Sequence, residues 1–173
     1  MTRLIECDRS YAPEILAIFN DAITNSTALY EYRPRTLDYM AAWFDGKRKG
    51  NYPVIGAADG DNRLLGFASY GPFRPHPAYK YTVEHSVYVA PASRSRGVGR
   101  LLLEAIVDRA RQQGYHNVVG GIDRDNAVSI RLHERLGFEH CGTVRHAGFK
   151  FGRWLDLVFY QRLLDTPSQP VDG

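Results

Sequence analysis

A short stretch rich in arginine and glycine has the residue types of an anion-binding loop. Residues 93–106 read SRSRGVGRLLLEAI, in which three arginines surround two glycines and an apolar helical pattern follows at once. Glycines let backbone N–H groups approach an anion closely, and the positive end of a helix dipole favours a phosphate there. Three interpretations are open: a phosphate cradle, a basic surface loop, and a turn that only precedes a helix.

The glycine spacing excludes the two familiar nucleotide motifs. A P-loop requires GxxxxGK[ST], but this stretch has no lysine followed by a hydroxyl residue. A dinucleotide fingerprint requires GxGxxG, and after Gly97 and Gly99 the third position holds Leu102. A phosphate cradle of another kind and a solvated basic turn both remain open on these residues alone.

The elements around this stretch are predicted to form a βαβ unit. The preceding run YTVEHSVYV is rich in β-branched and aromatic residues and predicts a strand. One face of the following helix consists of apolar residues that recur every four positions: Val98, Leu102, Ile106 and Ala110. Gly114 is expected to end this helix, and HNVVGGI predicts the next strand. The loop would therefore lie between a strand and the first turn of a helix.

The remaining pattern predicts a single domain of the α+β class, which some schemes call α/β. Before the unit we expect a strand, a helix capped by Ser10, a second helix capped by Thr36, and a hairpin formed by YPVIGAAD and RLLGFASYGPF. After it, Asn126 is predicted to cap the helix AVSIRLHERLG, and FEHCGTV and WLDLVFYQRLL predict two closing strands. The domain is expected to span residues 1–165, with a disordered tail over 166–173.

The arrangement [Q/R]xxGx[G/A] between a strand and a helix resembles the acetyl-CoA pyrophosphate site of the GNAT superfamily of N-acetyltransferases. The order of elements is similar to that fold, a central mixed, mostly antiparallel sheet flanked by helices. Four segments look like the phosphinothricin acetyltransferase subgroup, which includes enzymes acting on methionine sulfoximine and methionine sulfone: STALYEYRP, YGPFRPHPAYKYTVEHSVYV, DNAVSIRLHERLGF and GFKFGRWLDLVFYQ. The resemblance implies acetyl transfer from acetyl-CoA to the amino group of a small amino-acid analogue, in a detoxifying or herbicide-resistance role. Acetylation of a protein N-terminus or lysine and a non-catalytic CoA-binding module are the alternatives.

The resemblance also implies three sets of cofactor contacts and no metal. The strand residues Val87, Tyr88 and Val89 would lie beside the pantetheine arm, with a backbone N–H near Val89 polarising the thioester carbonyl. The pyrophosphate would be bound by the loop residues Ser95, Arg96, Gly97, Val98, Gly99 and Arg100. Asn126 has two possible roles, since it can cap a helix and the family carries an asparagine here that contacts the cofactor.

Two residues are candidates for the chemistry of acetyl transfer. An alkyl ammonium with a pKa near ~10 is mostly unreactive at pH 7, so a general base should assist. Glu84 is the first choice, because the resemblance places the family's proposed catalytic glutamate here; an outward-facing strand carboxylate is the alternative. His133 stands where many family members have a tyrosine thought to protonate the leaving thiolate. Its imidazole is either that acid or a structural group.

The acceptor site is predicted in the loop GPFRPHPAYKY and in the strand that follows it. Arg74 could hold a substrate carboxylate through a bidentate bond, which suits an amino-acid-like acceptor, although a solvated loop arginine is the alternative. The subgroup's substrate contacts imply a larger set: Arg74, Pro75, His76, Glu84, His85 and Ser86. Strand alternation places His85 on the opposite face from Glu84, where packing explains it at least as well as catalysis.

Composition, charge and cysteine usage predict a soluble protein of the cytoplasm. The formal charge of +3, from 22 basic and 19 acidic residues among 173, is too small an excess to argue for nucleic acid. Cys7 and Cys141 form neither a disulfide framework nor a metal-ligand spacing. Neither a signal peptide nor a membrane span is predicted. The subgroup resemblance implies a homodimer, and Lys150 and Arg153 are expected near the acceptor or at the dimer interface.

Overall fold

The computed structural model describes residues 1–173 and contains four α-helices and seven strands. The helices are α1 (Ala12–Asn25), α2 (Leu37–Lys49), α3 (Val98–Gln112) and α4 (Ala127–Arg135). The strands are β1 (Arg3–Glu6), β2 (Val54–Ala58), β3 (Leu64–Pro72), β4 (Thr82–Val89), β5 (Asn117–Asp123), β6 (Glu139–Lys150) and β7 (Arg153–Leu163). They are hydrogen-bonded in the order β1-β2-β3-β4-β5-β7-β6, which confirms the predicted α+β class. None of the four helices has the length and apolarity needed to span a membrane.

The residues group into two compact units whose boundaries lie within β3, β4 and α3. The first unit consists of Met1–Gly71 and Ser86–Ile106. The second consists of Pro72–His85 and Val107–Gly173. The first unit therefore contains α1, α2, β1 and β2, and the second contains β5, α4, β6 and β7.

Helix α1 forms because apolar residues recur at helical spacing on one face. The residues buried on that face are Ile15, Ile18, Phe19, Ala22 and Ile23. The predicted Ser10 cap is wrong, because the Asp8 carboxylate accepts the Ser10 N–H at 2.8 Å and begins a short 3-10 turn over Arg9–Tyr11 before α1. The Ser10 hydroxyl donates to the same carboxylate, and Pro13, three residues after Ser10, has no N–H for that hydroxyl to accept.

The C-terminal end of the segment between α1 and α2 is fixed by hydrogen bonds between the Asn20 side chain and the Arg35 backbone. Asn20 Oδ1 accepts the Arg35 N–H at 2.8 Å, and Asn20 Nδ2 donates to the Arg35 carbonyl oxygen at 3.1 Å. The Arg35 guanidinium pairs with Glu31 and lies 4.1 Å from the centre of the Phe19 ring. Thr36 then caps α2 by accepting a backbone N–H of its first turn, as predicted.

Asn20→Ala should lower the free energy of unfolding by about 2 kcal/mol, because two partly buried backbone groups of Arg35 lose their partners. Asn25→Ala is the matched control on the same helix, since the Asn25 amide donates only to the Asp21 carboxylate in an exposed hydrogen bond, and its loss should cost less than about 0.5 kcal/mol. Urea unfolding followed by circular dichroism measures both. Equal destabilisation by the two substitutions would contradict this role of Asn20.

Strands β2 and β3 form the predicted hairpin, and β1 pairs antiparallel with β2. Arg3 pairs with Ala58, and Val54 pairs with Ser69. Every residue of β2 and the first seven of β3 are buried. Strands that are covered on both faces have continuous apolar runs rather than alternation, which explains the sequences VIGAA and LLGFASY.

Strands β4 and β5 are parallel and α3 connects them, which confirms the predicted βαβ unit. The predicted inner face of α3 is buried throughout: Val98, Leu102, Ile106 and Ala110. The β4–β5 register runs from Thr82↔Asn117 to Glu84↔Val119. Pairing between these strands thus ends at Glu84, although β4 continues to Val89.

The hairpin of β6 and β7 is longer than the sequence pattern predicts. Strand β6 continues to Lys150, beyond the expected end at Val144. His146 has a positive φ of 50°, and the register with β7 shifts between Val144 and Gly148. A bulge of this kind interrupts the alternation that marks a strand, while pairing with the neighbouring strand carries the backbone across it.

Candidate active site

The loop between β4 and α3 has the backbone conformation of an anion-binding turn. Ser95 (φ 60°) and Gly97 (φ 80°) are both left-handed and lie on either side of Arg96. Turns of this kind direct successive backbone N–H groups into one concavity, and the N-terminus of a helix adds the positive end of its dipole. Helix α3 begins at Val98, directly after the turn. The loop therefore fits a phosphate or pyrophosphate group.

Two of the three loop arginines are held in ion pairs within the first unit. Arg94 Nη2 lies 2.7 Å from Asp21 Oδ2 on α1, and Arg100 Nε lies 2.9 Å from Glu104 Oε1 one helical turn away. Arg96 is exposed and lies outside these pairs. The charge of Arg96 is therefore the least compensated of the three, while Arg94 ties the loop to α1.

The second half of β4 is fixed by the packing of Tyr88. The Tyr88 ring lies edge-on to Phe19, with 5.2 Å between ring centres, and its hydroxyl is hydrogen-bonded to the side chain of Ser86. Burial raises the pKa of Tyr88, with a smaller opposing effect from Arg35. A Cβ on Gly66 would lie 2.7 Å from the Tyr88 carbonyl oxygen, so β3 approaches β4 closely. Because the Tyr88 side chain is buried in this packing, the predicted contact between Tyr88 and the pantetheine arm would be made by backbone atoms.

Glu84 is a half-buried carboxylate in the first half of β4. Burial raises its pKa above the usual range, and the positive charge of Arg74 partly opposes this shift. Glu84 Oε1 lies 3.3 Å from the position that a Cβ on Gly121 would take, so the carboxylate lies against a residue without a side chain. A partly desolvated carboxylate with a raised pKa is a better proton acceptor than an exposed one. The environment of Glu84 therefore suits a general base.

Arg74 lies in the exposed loop that precedes β4. Its Nη1 donates to the Phe73 carbonyl oxygen at 2.9 Å, and its guanidinium carbon lies 4.4 Å from the centre of the Phe73 ring. Phe73 in turn packs edge-on against Tyr79, with 5.8 Å between ring centres. Pro75 and His76 are exposed in the same loop. Arg74 is close enough to influence the pKa of Glu84, and its planar head is oriented by an aromatic ring.

His85 and His133 form a buried hydrogen-bonded pair in the second unit. Their Nε2 atoms lie 3.1 Å apart and their rings are nearly parallel, at 19°. His133 Nδ1 lies 2.7 Å from the Ser129 carbonyl oxygen, and Phe138 packs edge-on against both rings. Burial, followed by the neighbouring His133, lowers the pKa of His85 to about 3. Burial also lowers the pKa of His133, so both imidazoles are neutral at pH 7.

Two consecutive glycines in β5 make room for these side chains. A Cβ on Gly120 would lie 2.6 Å from His85 Nε2 and 3.3 Å from His133 Nε2, and a Cβ on Gly121 would contact Glu84. Sequence reasoning did not single out either glycine. Their position inside a β-branched strand is the available signal, because glycine in a strand interior often marks a close approach by another group.

Comparison with known proteins identifies the family to which this chain belongs. Residues 15–138, more than half of the chain, match the model of the acetyltransferase (GNAT) family. The chain belongs to the GNAT acetyltransferase family. This GNAT protein is 50% identical over 159 residues to the L-methionine sulfoximine/L-methionine sulfone acetyltransferase of Pseudomonas paraeruginosa, with 91% of this chain and 92% of the relative covered. The predicted acyltransferase activity is thereby confirmed.

Solved structures confirm the predicted GNAT fold. A protein from Acinetobacter baylyi ADP1 is 54% identical with a TM-score of 0.99, covering 100% of this chain and 98% of its own. A GNAT phosphinothricin acetyltransferase from Sinorhizobium meliloti, solved in complex with acetyl-CoA, is 33% identical with a TM-score of 0.94. The alignment covers 99% of this chain and 94% of the Sinorhizobium meliloti chain. The fold is the family's single domain, a seven-stranded mixed sheet with four helices.

Three further candidate residues of this GNAT chain have structural partners in the second unit. Asn126 Oδ1 accepts a backbone N–H at 3.1 Å, which confirms its predicted role as the N-cap of α4. Arg153 Nη1 pairs with Asp125 Oδ2 at 2.7 Å. Lys150 is only 4% exposed, and its Nζ lies 5.1 Å from the centre of the Phe151 ring. No group of three or more His, Cys, Asp or Glu side chains within residues 1–173 could hold a metal ion.

Proposed function

We propose that the protein is an N-acetyltransferase that moves the acetyl group of acetyl-CoA to the amino group of a small amino-acid analogue. L-Methionine sulfoximine, methionine sulfone and phosphinothricin are the proposed acceptors. The observation that carries the proposal is the half-buried Glu84, whose pKa is raised and which lies against Gly121 within electrostatic reach of Arg74. The acceptor class is supported by the 50% identity to the Pseudomonas paraeruginosa enzyme over nine-tenths of the chain.

Glu84 is the general base of the proposed reaction. It takes a proton from the substrate ammonium, and the free amine attacks the carbonyl carbon of the thioester. A C–N bond forms, the C–S bond breaks, and its electron pair leaves on sulfur as the thiolate. The thiolate takes up the second proton that the attacking nitrogen loses, and Glu84 releases the first proton to solvent. A backbone N–H near Val89 would hydrogen-bond to the carbonyl oxygen as negative charge develops on it. The products are the N-acetylated analogue and free CoA.

The proposed acetyl-CoA site combines the anion-binding turn with the backbone of β4. Its residues are Val87, Tyr88, Val89, Ser95, Arg96, Gly97, Val98, Gly99, Arg100 and Asn126. The left-handed Ser95 and Gly97 support this assignment, because they shape the turn for a phosphate. The N-cap of α4 uses only the Asn126 oxygen, so the Nδ2 group of Asn126 is the part that we assign to the cofactor.

The proposed acceptor site contains the loop before β4 and the middle of that strand. Its residues are Arg74, Pro75, His76, Glu84, His85 and Ser86. We assign to Arg74 the α-carboxylate of the acceptor, because a guanidinium presents two parallel donors to a carboxylate. A substrate held there would have its ammonium within the field of the Glu84 carboxylate.

Arg74→Ala should raise the KM of the acceptor by about 10- to 100-fold, because a charge-assisted bidentate bond is lost. The acid limb of the pH–rate profile should also move to higher pH, since the Arg74 charge holds the pKa of Glu84 down. Lys80→Ala removes an exposed cation from the same loop and is the matched control. Steady-state kinetics at several pH values measure both effects. A rise in the KM of acetyl-CoA alone would contradict the carboxylate role.

We also propose a homodimer formed through the β6–β7 hairpin. Strand β6 is the last strand of the sheet, and the hairpin exposes Val144, Phe149 and Trp154 by 48%, 46% and 58%. Exposed apolar side chains on an edge strand favour pairing with another chain. Trp154→Asp should lower the mass in sedimentation equilibrium from that of two chains to that of one. Leu37→Asp, at an exposed apolar residue that begins α2, should leave the mass unchanged.

A thiol-release assay over a panel of acceptors tests the proposed function. The panel contains L-methionine sulfoximine, methionine sulfone, phosphinothricin, the common amino acids, and peptides with a free N-terminus or a lysine. Release that is fastest with the first three supports the proposal. Release with the peptides alone would assign protein acetylation instead, and binding of acetyl-CoA without release would assign a non-catalytic module.

The free Cys7 and Cys141 support a cytoplasmic location for this enzyme.

A further inference from the structure

Lys47 on α2 has its amino group in a half-buried aromatic environment. Its Nζ donates to the Tyr70 carbonyl oxygen on β3 at 2.8 Å. The same nitrogen lies 5.2 Å from the centre of the Trp43 ring and 5.9 Å from that of Tyr52. Tyr52 packs edge-on against Tyr70, with 6.0 Å between ring centres. All four residues belong to the first unit, where one amine lies among three aromatic residues.

No carboxylate compensates the charge of the Lys47 amino group. Its hydrogen bond goes to an uncharged carbonyl, and the residues that face it, Trp43, Tyr52 and Tyr70, are aromatic and uncharged. The two ring centres lie near the roughly 6 Å limit of cation–π attraction, so the rings exclude water more than they stabilise charge. Burial accordingly lowers the pKa of Lys47 to about 8. At pH 7 about a tenth of these groups are neutral, against less than ~0.1% for an ordinary lysine.

Gly71 leaves open space beside the Lys47 amino group. Apart from its neighbours in the chain, the only atom within 4 Å of a Cβ on Gly71 would be Lys47 Nζ, at 3.8 Å. Gly71 is not among the glycines with a positive φ, so the backbone does not require glycine at this position. Lys47 and Gly71 are both half-buried rather than enclosed. The missing side chain therefore leaves a small reagent access to the nitrogen.

We propose that Lys47 Nζ is an acetylation site of this protein and takes its acetyl group directly from acetyl-CoA. The neutral nitrogen attacks the carbonyl carbon of the thioester, a C–N bond forms, and the C–S bond breaks with its electron pair on sulfur. The nitrogen loses one of its two protons, which the thiolate takes up. The products are acetyl-lysine at position 47 and free CoA. The inference goes beyond the proposed function, because this reaction uses neither the acceptor site nor the general base.

The acetylated side chain suits the environment of Lys47 better than the ammonium does. An amide nitrogen keeps one N–H, which can still donate to the Tyr70 carbonyl oxygen. The charge that burial disfavours is gone, and the acetyl group would occupy the space beside Gly71. Acetylation therefore removes an uncompensated charge and preserves the contact between α2 and β3.

Competitive isotope labelling of the lysines tests the proposal. The folded protein is incubated with acetyl-CoA at pH 8 without an amine acceptor, then unfolded and fully acetylated with deuterated acetic anhydride. Mass spectrometry of chymotryptic peptides gives the ratio of light to heavy acetyl at each of the four lysines: Lys47, Lys49, Lys80 and Lys150. Lys49 is an exposed lysine on the same helix, and Lys80 is exposed in the loop before β4. Lys47 should react at least about tenfold faster than either, because more of it is neutral.

The pH dependence and the unfolded chain give two controls for this preference. The rate at Lys47 should level off above about pH 8, whereas the rates at Lys49 and Lys80 should keep rising with pH. In urea the four lysines should react at similar rates, because burial causes the preference. Equal rates at Lys47 and Lys49 in the folded protein would overturn the proposal, and so would a preference for Lys47 that persists in urea.

Two glycine variants test the role of the open space. Gly71→Val should slow the acetylation of Lys47 by about tenfold, because its side chain obstructs the approach to Nζ, and should leave Lys49 unaffected. Gly60→Val, between β2 and β3, is the matched control, since a Cβ there would meet no atom within 4 Å. An unchanged rate at Lys47 in a folded Gly71→Val protein would contradict the proposed access.

Glu84→Gln separates this inference from the proposed function. Lys47 should be acetylated at the wild-type rate in this variant, because an amine that is already neutral needs no base. Loss of the reaction in Glu84→Gln would overturn direct transfer from acetyl-CoA. Absence of thiol release by the wild type with every amine of the acceptor panel would contradict the proposed function instead, and the isotope ratio at Lys47 would still decide the present proposal.

Discussion

Replacing Glu84 by glutamine should lower kcat/KM for acetyl transfer by about 10²- to 10⁴-fold, the usual contribution of a general base. Glutamine keeps the size and hydrogen-bonding capacity of the side chain but cannot take a proton from the ammonium. The KM of acetyl-CoA should change little, since the anion-binding turn is untouched. Glu139→Gln, at an exposed carboxylate of β6, is the matched control and should retain full activity.

The pH dependence of the wild type gives the same prediction a second readout. The base must be ionised to act, so the rate should fall as the pH falls through the pKa of Glu84. Burial raises that pKa, and the acid limb should therefore lie above the ordinary glutamate value of about 4.3. The residual activity of Glu84→Gln should lack this limb. Full activity of the variant from pH 6 to 9 would show that another group is the base.

Stability measurements separate loss of the base from loss of the fold. A carboxyl whose pKa is raised in the folded state binds a proton more tightly there than in the unfolded chain, so stability falls as the pH rises through the folded pKa. Glutamine stays neutral at every pH. Glu84→Gln should therefore melt at least as high as the wild type at pH 8, and the difference should shrink towards pH 4. An inactive variant that melts higher than the wild type at pH 8 would identify a chemical role.

Gly97→Val should raise the KM of acetyl-CoA by tenfold or more while the KM of the acceptor stays within about twofold. Gly97 has a φ of 80°, and a side chain with a Cβ in that region costs roughly 1–2 kcal/mol. The turn would relax away from the left-handed conformation, and its backbone N–H groups would no longer converge on a phosphate. Isothermal titration with CoA measures the affinity directly.

Gly114→Val is the control for strain without a role in binding. Gly114 has a φ of 78°, and a Cβ would meet no atom within 4 Å at either glycine, so the two substitutions carry a similar conformational cost. Gly114 follows the C-terminal end of α3, whereas Gly97 precedes its N-terminal end. Both variants should lose similar stability, and only Gly97→Val should bind CoA weakly. A similar loss of CoA affinity in both variants would contradict the proposal that the anion-binding turn binds the pyrophosphate.

The sequence by itself determined the helices and turns that depend on the conformational preferences of neighbouring residues. The four-residue recurrence of Val98, Leu102, Ile106 and Ala110 has a helical period whatever surrounds it, and those residues face the core of the structure. A glycine followed by a helical pattern predicts a turn, and Gly97 has the positive φ that only glycine adopts freely. Local rules failed where two signals competed, as at Ser10, whose hydroxyl donates to the nearby Asp8 carboxylate instead of capping a helix.

Only the tertiary structure decided the properties that arise from distant residues. His85 and His133 are 48 positions apart, and neither the strand nor the helix pattern indicates that their rings meet. Gly120, on a third element, leaves the space for that contact. The raised pKa of Glu84 likewise depends on burial. Period and backbone preference act within a few residues, whereas burial and proton position are set by packing between elements, which no local pattern encodes.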